Sequence, residues 1–154
     1  MRIFRLHRAQ RAATDYGGSM LYSNRWNIAG TPMLYAASSL ALACLEILVH
    51  LKPDQVPPGY VYSTGKLDHR PRQAGFRGDV EDEESTRLFG QWWSNQRQEV
   101  AILVPSVVIS QERNVLLNPT HSGFDRILWE ASRPFQFDKR LLRTAPQPHT
   151  IGIL

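Results

Sequence analysis

The chain has 154 residues and a formal net charge of +4, from 18 lysine and arginine residues against 14 aspartate and glutamate residues. This length favours one domain, and a hydrophobic share of 42% is ordinary for a folded domain. The single cysteine excludes an internal disulfide framework, and the longest apolar stretch is too short to cross a bilayer. The first residues lack the apolar core of a secretory signal, so we expect a cytoplasmic protein without a membrane anchor.

Short strand-like segments alternate with two longer segments that have the pattern of helices. One helix is expected to begin at a cap provided by Ser38 or Ser39 and to run to Leu51. The other is expected from about Glu81 to Asn95, because the acidic residues before it complement the helix dipole. The segments expected to form strands are 1–6, 33–35, 60–63, 99–104, 107–110, 114–117, 127–130 and 135–138, while 8–23 is expected to form a loop or a short helix. This order predicts an α+β fold, a single compact domain of short strands with two main helices.

The first predicted helix carries one polar stripe on an otherwise apolar surface. The residues on that side of the helical wheel are Ser39, Ala43, Glu46 and His50. The stripe either faces solvent with a Glu46–His50 pair or forms the wall of a cavity that holds Glu46 as a functional carboxylate. A carboxylate buried there needs a cationic partner, and Arg25 is the expected one. Cys44 falls opposite Glu46, so it is expected to be a small core residue.

Other familiar kinds of site lack the residues that they need. The five histidines have no metal-ligand spacing and one cysteine cannot build a thiolate zinc site, so no metal is expected. The chain contains no Walker A sequence and no G-x-G-x-x-G motif, and Ser106 lies outside a G-x-S-x-G elbow. Trp92 and Trp93 are expected to contribute core or groove surface rather than a base-stacking platform.

An ordered set of motifs resembles those of the RES domain family, which is named for its arginine, glutamate and serine. These motifs are Arg25-Trp26-Asn27, Gly30-Thr31-Pro32, Tyr35-Ala36-Ala37, Leu45-Glu46-Ile47-Leu48-Val49-His50, Val104-Pro105-Ser106-Val107-Val108, residues 114–121 and residues 134–142. The resemblance covers nearly the whole chain, so one RES domain is expected over residues 1–154. The chain departs from the family at Ser23-Asn24, where members commonly have Gly-Gly before the Arg-Trp pair.

The resemblance implies a function. RES proteins are toxins of bacterial toxin–antitoxin pairs with an Xre-type antitoxin, and their fold is similar to that of the ADP-ribosyltransferase toxins. The chain is therefore expected to cleave the nicotinamide–ribose bond of NAD⁺, by phosphorolysis or hydrolysis, with no cofactor and with inorganic phosphate as an optional co-substrate. An antitoxin is the expected protein partner, and direct nucleic-acid binding by the toxin is not expected. By resemblance the catalytic residues are Arg25, Glu46 and Ser106, and the NAD⁺-binding residues are Arg25, Tyr35, Ser106, Asn118 and Arg5.

These residue types suit the chemistry of NAD⁺. Arg25, together with Arg5, can grip the pyrophosphate through bidentate hydrogen bonds. The ring face of Tyr35 can hold the cationic nicotinamide. Glu46 can stabilise the oxocarbenium-like ribose that forms when the C–N bond breaks, while Ser106 is expected to contact that ribose or the nucleophile.

Three alternatives are also compatible with the sequence. The same donor site would serve a protein ADP-ribosyltransferase, because only the nucleophile differs. A non-catalytic partner protein, in which the polar stripe is a solvated face, is another reading. The basic composition also allows a nucleic-acid-binding module. The arginines that would serve it are Arg2, Arg5, Arg8, Arg11, Arg70, Arg72 and Arg77.

Overall fold

One antiparallel sheet organises the part of the chain that the computed structural model describes, residues 1–52 and 57–142. Its strands are β1 (Arg2–Arg8), β2 (Leu34–Ala37), β3 (Tyr60–Lys66), β4 (Ala101–Pro105), β5 (Arg113–Leu117), β6 (Leu128–Trp129) and β7 (Arg133–Phe135). Their order in the sheet is β4-β5-β2-β1-β3-β6, and β7 also pairs with β3. The helices are α1 (Gly17–Leu21), α2 (Leu40–Leu48) and α3 (Glu83–Gln96), with short 3-10 turns at Phe124–Arg126 and Lys139–Leu142. The predicted α+β class is confirmed.

The strand register decides which end of the sheet meets α2. Asn114 of β5 pairs with Ala37 of β2 on one side and with Val104 of β4 on the other. Because Ala37 is the last residue of β2 before α2, the first residues of β5 lie close to that helix. This register brings polar side chains from β5 and from the end of β4 to the polar stripe of α2.

Helix α2 begins where a serine cap was predicted. The hydroxyl of Ser39 accepts a hydrogen bond from the Leu42 amide at 3.1 Å, which satisfies one of the free amides of the first turn. The helix ends at Leu48, three residues before the predicted end, and continues as a tighter turn in which the His50 amide donates to the Ile47 carbonyl. Cys44 is buried in the apolar cluster under the helix, as predicted.

Helix α3 forms within two residues of its predicted bounds. Asp82 is its cap, accepting hydrogen bonds from the amides of Glu84 and Ser85, and the helix ends at a left-handed Arg97. Gly90 faces the backbone of Trp26 so closely that a Cβ at this position would lie 1.7 Å from the Trp26 carbonyl oxygen. The missing side chain therefore allows α3 to pack directly on the segment that precedes β2.

Some predictions differ from the structure. The strand expected at 107–110 is wrong, since these residues form bends and a turn in which the amides of Val108 and Ile109 bond the Ser106 hydroxyl instead of a neighbouring strand. The last strand lies earlier than expected, at β7. Trp93 is buried as predicted, whereas its neighbour Trp92 is largely exposed. Residues 53–56, after α2, and residues 143–154, at the end of the chain, lie outside the described residues.

Within the described residues, no helix has both the length and the apolar character needed to cross a membrane.

Candidate functional site

A cavity of about 890 Å³ opens between β1, α2, α3 and the segment before β2. This volume is within the range of small-molecule sites in proteins. Polar side chains that could contact a ligand line its wall, among them those of Arg25, Tyr35, Glu46, Glu83, Arg87 and Asn114. Three residues of the predicted polar stripe, Ala43, Glu46 and His50, line this cavity, so most of the stripe faces a cavity rather than open solvent.

Glu46 is held by two hydrogen bonds to one of its carboxylate oxygens. The Ser106 hydroxyl donates to Oε1 at 2.7 Å, and the Asn114 side-chain amide donates to the same oxygen at 2.5 Å. Within the described residues no hydrogen bond reaches Oε2. The carboxylate is thus fixed in orientation through one oxygen, and the other remains available to a ligand in the cavity.

Ser106 acts on Glu46 from behind the cavity wall. The residue is 1% exposed, and its hydroxyl accepts hydrogen bonds from the amides of Val108 and Ile109 at 3.1 and 3.0 Å. A hydroxyl has one hydrogen to donate and two lone pairs to accept with, and all three are engaged inside the protein. The direct contact between Ser106 and the ribose that we expected is therefore not available in this arrangement, and Ser106 orients Glu46 instead.

Two asparagines of the β5 region differ in their distance from the site, and the one with the predicted role lies away from it. Asn118 is fully buried and lies away from the cavity wall, where its amide donates to the Ser94 carbonyl at 2.8 Å and its oxygen accepts from the amide and hydroxyl of Thr120. The predicted NAD⁺-binding role of Asn118 is not supported by this position. Asn114, which sequence reasoning missed, is the asparagine that reaches Glu46.

Arg25 lies on the same cavity wall as Glu46 but does not pair with it. Its Nη1 donates to the carbonyls of Val80 and Glu81 at 3.1 and 3.2 Å, and its Nη2 is 3.4 Å from Oε1 of Glu83. The expected partnership of Arg25 with Glu46 is thus wrong, because the loop before α3 supplies the acceptors for Arg25. Both side chains line the cavity, and among the described residues no hydrogen bond or ion pair joins them, so each can meet a ligand there.

The segment that carries Arg25 is fixed by a fully buried asparagine. The side-chain amide of Asn27 donates to the carbonyls of Ser19, Tyr22 and Ile28, and its oxygen accepts the Tyr35 hydroxyl at 2.8 Å. The Tyr35 oxygen in turn accepts from the Trp26 amide at 3.1 Å. Burial raises the pKa of Tyr35, so this phenol stays protonated and keeps its place in the network.

The departure from the family pattern before Arg25 is accommodated by side chains. The Ser23 hydroxyl accepts from the Ala29 amide at 3.0 Å. The side-chain amide of Asn24 donates to the Tyr22 carbonyl and to Oδ1 of Asn27, both at 3.2 Å. These bonds order the loop where other members commonly have two glycines.

Arg5 is part of the cavity wall, but its guanidinium is directed at the loop that follows β1. Nη1 donates to the carbonyls of Ala12 and Ala13, and Nη2 donates to the Asp15 carbonyl at 2.5 Å. Burial lowers the pKa of Arg5 to about 10, which still leaves the group charged at neutral pH. Arg5 therefore serves first to hold this loop, and fewer of its donors remain for a phosphate than we expected.

Comparison with known proteins places the chain in a family. The RES domain model matches residues 2–138. The chain is 32% identical over 139 residues to the Prs ADP-ribosylating toxin of Sphingobium sp., covering 83% of this chain and 86% of that protein. It is 28% identical over 154 residues to Toxin Res of Photorhabdus laumondii subsp. laumondii, covering 93% of this chain and 98% of that protein.

A solved structure has the same fold. The similarity is to the crystal structure of the M. tuberculosis MbcT–MbcA toxin–antitoxin complex, with a TM-score of 0.67, 14% identity, and coverage of 92% of this chain and 86% of that chain. At this identity the likeness concerns the fold, and it agrees with the predicted α+β class. The match of the family model over most of the chain is the decisive finding. The chain therefore belongs to the RES domain family of toxins, as its ordered motifs predict.

Proposed function

We propose that this toxin cleaves the nicotinamide–ribose bond of NAD⁺ and that an antitoxin protein is its partner. The observation that carries the proposal is the carboxylate of Glu46, held by Ser106 and Asn114 on the wall of a cavity that also contains Arg25. A fixed carboxylate stabilises positive charge that develops on a sugar ring without having to reorganise during the reaction. The cavity volume is sufficient for a dinucleotide.

Each of these residues has its own role in NAD⁺ cleavage. Arg25 binds the pyrophosphate, since a guanidinium suits phosphate oxygens. The ring of Tyr35 lies against the cationic nicotinamide, while its hydroxyl keeps the Arg25 segment in place. Oε2 of Glu46 faces the anomeric carbon as the C–N bond breaks and nicotinamide leaves with the bonding electrons. Nicotinamide is a good leaving group, so the site needs no general acid.

The nucleophile distinguishes the possible products. Phosphate as the nucleophile yields ADP-ribose 1″-phosphate, and water yields ADP-ribose. We favour degradation of free NAD⁺ by one of these two routes. A second candidate, transfer of ADP-ribose to a protein, is favoured by the relative named as an ADP-ribosylating toxin.

The nucleic-acid alternative has less support from the arrangement of the arginines. Of the arginines that motivated it, Arg11 pairs with Asp15, Arg72 pairs with Glu99, and Arg8 lies over the ring of Tyr60 at 5.3 Å. Arginines engaged within the protein contribute less to a phosphate-binding surface.

Purified toxin incubated with NAD⁺, with and without inorganic phosphate, tests the proposal. We expect NAD⁺ to disappear, and chromatography of the products to distinguish phosphorolysis from hydrolysis. The Arg25→Ala variant is expected to raise KM strongly. If NAD⁺ persists with toxin that is free of bound antitoxin, cleavage of free NAD⁺ is refuted and transfer to a protein becomes the leading function.

The partner is tested separately. Co-expression with the product of the adjacent upstream gene is expected to give a stable complex on purification. The likeness to a toxin chain solved in a toxin–antitoxin complex supports this expectation. Recovery of the toxin alone after co-expression would count against the assignment of that partner.

A further inference from the structure

Two arginines on the cavity wall share one carboxylate. Oε1 of Glu83 is 3.4 Å from Nη2 of Arg25, and Oε2 of Glu83 contacts Nη2 of Arg87. All three side chains line the cavity. One anionic group thus occupies the point on which two guanidinium groups converge.

Each arginine is anchored independently of that carboxylate. Nη1 of Arg25 donates to the carbonyls of Val80 and Glu81, and Nε of Arg87 donates to the Asn24 carbonyl at 3.0 Å. The backbone therefore positions both guanidinium groups and leaves their Nη2 atoms directed at a common point. Removing the carboxylate would leave this geometry largely in place.

The Glu83 side chain can move away from both arginines. Its side chain is 50% exposed, compared with 29% for Arg25 and 31% for Arg87, and it lies in the first turn of α3 next to solvent. The cap of this helix is Asp82, so the helix start does not depend on Glu83. Ion pairs as exposed as these contribute little net stability, and a stronger anion can displace the carboxylate.

We infer that Arg25 and Arg87 together form the diphosphate-binding site of the cavity and that Glu83 is a built-in competitor for that site. The inference rests on the proposed function for the identity of the ligand, a dinucleotide with a pyrophosphate. The pyrophosphate oxygens take the places of the two Glu83 oxygens, and the displaced side chain moves into solvent. Each guanidinium can then form charge-assisted bonds to a phosphoryl group, which suits arginine better than a shared carboxylate. Ligands without phosphate gain nothing from displacing Glu83, so the site selects for phosphorylated ligands.

Binding of ADP and of adenosine to the purified toxin, measured by calorimetry, tests this inference without any turnover. Glu83→Gln is expected to tighten ADP binding by about threefold, the order of a removed surface charge interaction. Arg87→Gln is expected to weaken ADP binding by about tenfold, because it removes a charge-assisted bond to phosphate. Neither variant is expected to change adenosine binding.

Glu84→Gln is the matched control. It removes the same charge from the same helical turn, and Glu84 forms no ion pair with either arginine among the described residues. If Glu84→Gln tightens ADP binding as much as Glu83→Gln does, the effect is general electrostatics and the inference is wrong. ADP affinity that is unchanged or weaker in Glu83→Gln, or unchanged in Arg87→Gln, also overturns it. If Arg87→Gln does not fold, Arg87→Lys is tested in its place, and this variant is also expected to weaken ADP binding.

These outcomes are separable from the proposed function. If NAD⁺ is not cleaved but ADP responds to the variants as expected, the diphosphate site stands and the cleavage reaction is refuted. If NAD⁺ is cleaved but ADP does not respond, only the role of Arg87 and Glu83 is refuted.

Discussion

The Ser106 hydroxyl and the Glu46 carboxylate are joined by a hydrogen bond of 2.7 Å between the end of β4 and helix α2. The turn after β4 aims two backbone amides at the lone pairs of this hydroxyl, so its single hydrogen points at Glu46. The orientation of the carboxylate is thus set by the local geometry of a turn. Activity should depend on this turn even though Ser106 itself is buried behind the cavity wall.

Ser106→Ala is expected to lower kcat by up to about a hundredfold, the cost of a misplaced reacting group, with KM within about twofold of the wild type. The amides of Val108 and Ile109 lose their acceptor as well, which should cost about 1–3 kcal/mol of unfolding free energy. Steady-state kinetics and urea denaturation measure both effects. Ser110→Ala in the same loop is the control and should change neither. A large rise in KM at unchanged kcat would instead indicate that Ser106 contacts the substrate.

Asn114→Ala and Asn118→Ala are expected to separate activity from stability. Asn114→Ala removes the second donor to Glu46, so kcat should fall by about tenfold with KM little changed. Asn118→Ala leaves the buried Ser94 carbonyl without its donor, which should cost about 1–3 kcal/mol in unfolding free energy while kcat is retained. Kinetics at a temperature where both variants are folded, with denaturation curves, make the comparison. If Asn118→Ala lowers kcat while Asn114→Ala lowers only the unfolding free energy, Asn118 belongs to the site and Asn114 does not.

Parts of this site follow from the sequence, because they depend on local periodicity. The helical wheel places Glu46 on a polar stripe and Cys44 in the core, and a strand-then-serine pattern marks the start of α2. The acceptors of Arg25 lie more than fifty residues further along the chain, at Val80 and Glu81, so no local pattern points to them. These contacts depend on how the loop before α3 packs against the segment that carries Arg25.

The choice between Asn114 and Asn118 shows the same limit. Asn114 is near the start of β5 and Asn118 directly follows its end, and their spacing of four residues would place both on one face of an extended chain. Only the pairing of Asn114 with Ala37 tells which end approaches α2. The family resemblance pointed to Asn118, whereas the register brings Asn114 to Glu46.

Gly90→Ala is expected to destabilise the protein, against the usual gain for this change in a helix. The added Cβ meets the Trp26 carbonyl, so α3 or the Arg25 segment must move, at a cost of about 1–3 kcal/mol. Since the shift displaces Arg25, the KM for NAD⁺ should rise. Thermal unfolding and kinetics report the two effects, and Asn95→Ala on the exposed side of α3 should be neutral in both. Unchanged stability in Gly90→Ala would refute the close packing of α3 on Trp26.

His7 is expected to make stability depend on pH. Burial lowers its pKa below the usual 6.5, and the buried ring bonds Ser63 Oγ at 2.8 Å. The unfolded chain therefore takes up a proton at a pH where the folded chain does not, so stability is full above 6.5 and falls as the pH drops towards the folded pKa. Urea unfolding at about pH 7.5 and about pH 5.5 should show this loss, since carboxyl groups titrate mainly below that window. His7→Gln should reduce the loss, whereas the exposed His50→Gln should retain it. If His7→Gln and the wild type lose the same unfolding free energy between these two pH values, groups other than His7 cause the loss.

The proposed cleavage depends most directly on the charge of Glu46. Glu46→Gln keeps the shape of the side chain and an oxygen that can accept from Ser106 and Asn114, so only the carboxylate charge is lost. Glu112→Gln is the matched control, because Glu112 is also half-buried and accepts a serine hydroxyl, from Ser38 at 3.3 Å, but lies off the cavity wall. The measurement is kcat for NAD⁺ cleavage by the wild type and both variants. We predict a fall of at least about a hundredfold in Glu46→Gln with unchanged melting temperature, and a wild-type rate in Glu112→Gln. A wild-type rate in Glu46→Gln would contradict the assignment of this cavity as the site of cleavage.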